Sequence, residues 1–185
     1  MSASDDVTYL LVDGENIDAT LGGGILGRRP RPEDRPRWDR VKRFAEEHWG
    51  QPAVPLFFLA VNGEIPMPFV QALIAVGYKP VPLSGQPDQK VVDIAIQRTL
   101  EALQEHSADV MLVSHDGDFL SYIDDLNDGR RLAVLGFAEF RNAGFSALGP
   151  QVELIDLEYD VNAFTERLPR LRVIPIDEFD PADFL

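Results

Sequence analysis

Apolar residues along this chain fall into short runs separated by longer amphipathic stretches. Residues 7–12 are apolar and β-branched and stop at Asp13-Gly14, the pattern of a strand buried on both faces. Residues 55–61 and 110–113 read the same way, 132–135 forms another short strand, and 152–157 supplies a last one. Residues 78–83 carry Pro80 and Pro82, which belongs at a sheet edge because proline cannot donate to a ladder. Between the strands, Trp38, Val41, Phe44 and Ala45 recur at helical spacing and predict a helix over 37–49. Further helices are expected over 69–76, closed by Gly77, over 88–105, the longest, and over 119–126. Residues 22–36, with Gly22, Gly23, Gly24 and three prolines, read as one long loop.

Strands separated by helices must return over a sheet face, so the pairing is parallel and the expected fold is a three-layer α/β domain with a mostly parallel central sheet. One domain is expected over residues 1–169, followed by an acidic C-terminal tail over 170–185. The tail reads as a strap or frayed terminus, with a docking peptide or a flap over the site as the sharper alternative.

Charge narrows the function classes. The net charge is −14, which argues against passive binding to a phosphate backbone. Between Gly22 and Arg43, however, eight basic residues stand against three acidic ones, leaving a local +5 that begins with Arg28, Arg29 and Arg31. No cysteine is present, which excludes thiolate metal sites and cysteine nucleophiles and suits a reducing, cytoplasmic setting. The polar start Met1 to Asp6 lacks the pattern of a secretory signal, and the longest apolar run is far below the ~20 residues of a membrane span.

Ligands of open parallel sheets bind beyond the carboxyl ends of strands. Two strands end in acidic loops: Asp13-Gly14-Glu15-Asn16 and Ser114-His115-Asp116-Gly117-Asp118. If the two strands are neighbours, about 4.8 Å apart, both loops deliver carboxylates to one rim, where mutual repulsion favours a hard divalent cation. Helix capping is the bland alternative for Asp13 and for one of Asp116 and Asp118. On the long helix, Lys90, Asp93 and Gln97 share a face, with Asp93 at the border of the apolar stripe, either as a cleft acid or in a surface pair with Lys90. Ser114-His115-Asp116 holds triad residue types, but consecutive positions at a strand end point in opposite directions and cannot form a relay. No phosphate-binding glycine loop or zinc spacing of histidines occurs.

The segments Leu11-Val12-Asp13-Gly14-Glu15-Asn16, Lys90-Val91-Val92-Asp93 and Leu112-Val113-Ser114-His115-Asp116-Gly117-Asp118-Phe119 together resemble the NYN family of PIN-like metal-dependent ribonucleases, in its bacterial LabA-like branch. The resemblance extends from about residue 7 to 157. It implies a Rossmann-like PIN sheet in which Asp13, Asp93, Asp116 and Asp118 hold Mg²⁺ or Mn²⁺ and Asn16 and Ser114 orient the cluster or the attacking water. Hydrolysis of RNA phosphodiesters would follow, with Lys90, Arg28, Arg29, Arg31 and His115 as substrate contacts. Two positions depart from the family pattern: Thr99 stands where another aspartate is frequent, and His115 where glycine is usual. The expected partner is RNA, with a protein partner or a second copy also open; the alternative function is a weak or inactive RNA- or protein-binding module.

Overall fold

A computed structural model describes residues 6–171 and 173–185. Six strands form one parallel sheet: β1 (Thr8–Asp13), β2 (Ala53–Ala60), β3 (Lys79–Leu83), β4 (Asp109–Val113), β5 (Leu132–Gly136) and β6 (Val152–Asp156). The order across the sheet is β3-β2-β1-β4-β5-β6, every neighbouring pair being parallel. The chain winds outward from β1 in one direction, then returns and winds outward from β4 in the other. The switch point of this doubly wound sheet therefore lies between β1 and β4, whose register pairs Val12 with Val113.

The helices are α1 (Gly14–Ala19), α2 (Trp38–Trp49), α3 (Met67–Ala75), α4 (Val91–Leu103), α5 (Leu120–Asp125) and α6 (Gly144–Ala147). Strand alternation divides the core into two. Leu10 and Val12 pack with Ile17, Val41, Ala45 and Leu73 from α1, α2 and α3, whereas Leu11 packs with Val92, Ile96, Leu100 and Ile123 from α4 and α5. Two apolar clusters on opposite faces of one sheet are the three layers expected from the sequence. As expected too, β3 is an edge strand, so Pro80 and Pro82 deprive no outer neighbour of a donor.

The stretch after α1 differs from the expected loop. Thr20–Leu26 continues α1 as a π-helix that ends at Gly27, in the left-handed region at φ 68°. Ile17 and Leu21 are fully buried and Ile25 packs against the same core, at i, i+4 and i+8. That apolar stripe outweighs the poor helix propensity of the three glycines. Gly22 has a packing role, since a Cβ there would lie 2.9 Å from Pro30 Cδ. The expected long helix starts later, at Val91, and the irregular chain ahead of it leaves Lys90 at its cap.

Arg170, placed by the sequence at the start of the tail, is built into the domain. Its guanidinium joins Asp156 (Nη2 to Oδ2 2.9 Å) and Glu139, and lies over the rings of Phe137 and Tyr159 at 5.2 and 5.1 Å. Beyond it, Leu171, Val173, Ile176 and Leu185 are exposed, while Phe184 stacks with Phe179 and lies under Arg167. The end of the chain thus lies against Arg167, whose Nη1 also donates to the Asp183 carbonyl at 3.1 Å. Residues 1–5, which hold nearly all of the polar start, lie outside the described residues, as does Arg172. No described helix is long and apolar enough to cross a membrane.

Candidate functional site

β1 and β4 lie side by side, and the chain leaving each turns into the same cleft. Asp13 ends β1 and caps α1, its Oδ1 accepting from the Asn16 N–H at 3.4 Å. Its Oδ2 accepts from the Ser114 hydroxyl at 2.9 Å, and the same hydroxyl accepts from the Asp116 N–H at 3.2 Å. Ser114 thereby ties the end of β1 to the turn after β4. Asn16 makes the second tie, its Oδ1 accepting from the His115 N–H at 2.9 Å. Asp116 caps the short turn that follows β4, with Oδ1 accepting from the Asp118 N–H at 2.9 Å. Capping and cleft positions thus coincide at Asp13 and Asp116.

Asp93, in the first turn of α4, completes the rim. Asp93, Asp116 and Asp118 each offer a carboxylate oxygen, all within 4.8 Å of one another. Asp13 lies outside that group of three, and its oxygens accept from Ser114 and Asn16. It lines the same cleft of about 250 Å³ with Glu15, Asn16, Lys90, Asp93 and Asp116. Burial pushes the Asp13 carboxyl up to about 7, and the negative charges of Asp93 and Asp116 push in the same direction against the hydrogen bonds of Ser114 and Asn16. Asp93 is raised as well, by burial first and by Asp116, with Lys90 opposing. Several acids facing one cleft with few neutralising partners form an oxygen donor set suited to a hard divalent cation.

The remaining sequence-derived site residues divide. Lys90 stands at the cleft, at the start of α4. Arg28 is turned onto Asp34 in a bidentate pair at 2.6 and 3.1 Å and borders a different depression, beside Phe164 and Thr165. Arg31 is exposed and lines neither that depression nor the acidic cleft. Arg29 borders a cavity next to the cleft.

His115, expected as a substrate contact, is instead interior. It is 5% exposed, with Nδ1 2.8 Å from Asn16 Oδ1 and Nε2 accepting from the Phe137 N–H at 2.7 Å. Those partners make Nδ1 the protonated nitrogen. The ring stacks on Phe137 and fits because position 136 is glycine, where a Cβ would come within 2.7 Å of it. Alternation at the strand end is the reason: with Ser114 turned to Asp13, His115 faces the opposite side, against Phe137. Thr99 supplies nothing to the acids; its hydroxyl donates back to the Ala95 carbonyl at 2.7 Å, and its side chain borders a separate depression with Phe58 and Val81.

Sequence reasoning passed over Glu15, although it lies inside the first acidic motif. Its Oε1 accepts from the Ala60 N–H at 3.3 Å, and the side chain borders both the acidic cleft and the neighbouring cavity.

No family model matches this sequence, and no curated protein matches it. Among solved structures, a protein of unknown function, VPA0982 from Vibrio parahaemolyticus RIMD 2210633, is similar with a TM-score of 0.66. The match covers 86% of this chain and 98% of that one at 14% identity, a likeness of fold.

Proposed function

We propose that the chain is a metal-dependent ribonuclease of PIN-like type, hydrolysing RNA phosphodiester bonds at the acidic cleft. The observation that carries this reading is the meeting of Asp93, Asp116 and Asp118 within 4.8 Å at the switch point of the sheet, above the buried Asp13. Asp93, Asp116 and Asp118 would hold Mg²⁺ or Mn²⁺. When bound, the ion supplies charge neutralisation at the phosphate and a more acidic water. Ser114 and Asn16 keep the two acidic turns at a fixed separation, so the carboxylates need not reorganise when the ion enters. Lys90, at the cleft wall, is placed to meet phosphate charge.

The reading is tested by incubating the purified chain with RNA in Mn²⁺ or Mg²⁺. Cleavage should occur and should vanish with EDTA or in Asp116→Asn; metal-independent cleavage retained by the variant would exclude it. A second reading, a module kept for binding RNA or protein, draws on Thr99, which adds no carboxylate where the family often has one. Isothermal titration separates the two, because no uptake of either ion at millimolar concentration favours the module.

A further inference from the structure

The acidic cleft shares Glu15 with a larger cavity of about 430 Å³, inside the range of roughly 300–1,000 Å³ typical of small-molecule sites. This cavity lies beyond the ends of β1 and β2. Phe57, Trp38 and Phe69 contribute aromatic surface, and Glu15, Arg29 and Arg35 bring charge of both signs. Phe57 is held edge-on by Trp38 (5.1 Å between ring centroids) and by Phe69 (5.3 Å). Gly14 leaves room for that ring: a Cβ there would sit 2.5 Å from Phe57 Cζ. Arg35 is fixed by Asp18 at 2.7 Å.

We propose that this cavity receives one unstacked nucleobase of the RNA strand whose phosphate occupies the acidic cleft. The proposal rests on the ribonuclease reading and extends it to how the strand is gripped. A phosphate group is a poor occupant, since the lining is largely apolar and carries two carboxylates. An aliphatic side chain would desolvate Glu15, Arg29 and Arg35 without replacing their hydrogen bonds. A nucleobase answers both features, because its faces stack on aromatic rings and its edge offers donors to a carboxylate and acceptors to a guanidinium. Glu15 stands in the shared wall, where the strand would pass from one cavity to the other.

The test needs no catalysis. AMP, GMP, CMP and UMP, with ribose 5-phosphate as control, are titrated calorimetrically into the full chain in EDTA. At least one nucleotide should bind saturably while the base-free control does not, and Phe69→Ala should weaken binding about tenfold, the effect of losing one stacking partner. Should Phe69→Ala misfold by circular dichroism, Arg29→Ala, at an exposed position, is read in its place and should likewise weaken binding. No saturable binding of any nucleotide up to about 10 mM overturns the proposal, since weaker association is indistinguishable from non-specific contact. Equal binding of ribose 5-phosphate, or a folded variant with undiminished affinity, overturns it too. Nucleotide binding by a chain that never cleaves RNA would remove the nuclease reading and keep the base site; metal-dependent cleavage without nucleotide binding would do the reverse.

Discussion

Replacing Arg170 by methionine keeps an apolar stem and deletes the charge. The side chain is 2% exposed, and its guanidinium contacts Asp156, Glu139 and, at 3.5 Å, Glu158. The side chains of Asp156 and Glu158 are themselves only 9% exposed, so the substitution strands two carboxylates in a nearly dry place. Breaking a buried ion pair from one side costs about 3–5 kcal/mol. The lower end is expected, because Asp156 keeps the backbone N–H groups of Ala138, Glu158 and Tyr159. With a melting shift of roughly 2–4 °C per kcal/mol for a chain of this size, Arg170→Met should melt about 6–12 °C lower at pH 7. The pH dependence has a definite sign. Burial raises the Asp156 pKa, but the Arg170 hydrogen bonds and those of the Tyr159 and Ala138 N–H groups outweigh it, and the net shift is downward. Stability from such a group is present above the unfolded-state pKa of about 3.9 and lost as pH falls through the lower folded value. Glu158, raised mainly by burial, opposes this in part. The gap between wild type and variant should therefore narrow below about pH 4. Circular dichroism melts across pH 3–8 read both effects. A variant melting within about 1 °C of wild type at pH 7 would refute the reasoning, as would a gap that widens in acid. Truncation tests the same contact: a chain ending at residue 169 should lose comparable stability, and one ending at 171 should retain most of it.

Three further outcomes are expected. Mn²⁺ at about 100 times its dissociation constant should stabilise the chain by about 2.7 kcal/mol, seen as a higher melting temperature, and should do nothing for Asp116→Asn; equal shifts in both would place the ion elsewhere. Gly14→Ala drives a methyl group into the Phe57 ring, and denaturant unfolding should show a loss of about 1–3 kcal/mol, an unchanged midpoint counting against this close approach. Burial first, and the charge of Arg141 next, hold the His115 pKa down to about 4. Its ring signals in NMR should stay those of a neutral imidazole from pH 8 to 5, and stability should decline as pH falls from about 6.5 toward 4, by up to about 3 kcal/mol. A His115 titration midpoint near 6.5 would contradict the buried placement.

Much of the architecture is local in origin and was legible in the sequence. Apolar runs bounded by glycine, proline or aspartate produced the strands, Pro80 and Pro82 marked the edge, and the two acidic turns announced themselves by following buried strands. Residues 22–26 depart from the expected loop, because burial of the Ile17, Leu21 and Ile25 stripe against α2 and the sheet outweighs the poor helix propensity of the three glycines. His115 was misplaced because the motif names its position, while its direction depends on the alternation of β4 and on the space left by Gly136.

Sequence by itself determined which residues are acidic, which segments are strands, and that the strands run parallel, since periodicity and connection length are properties of neighbouring residues. Only the tertiary structure decided that β1 and β4 are adjacent, that Asp93 joins Asp116 and Asp118 while Asp13 lies beneath, that Glu15 is shared between two cavities, and that Arg170 belongs to the core. Those are contacts between positions far apart in the chain. They are set by strand order and by how two helical layers close on the sheet, which no local pattern specifies.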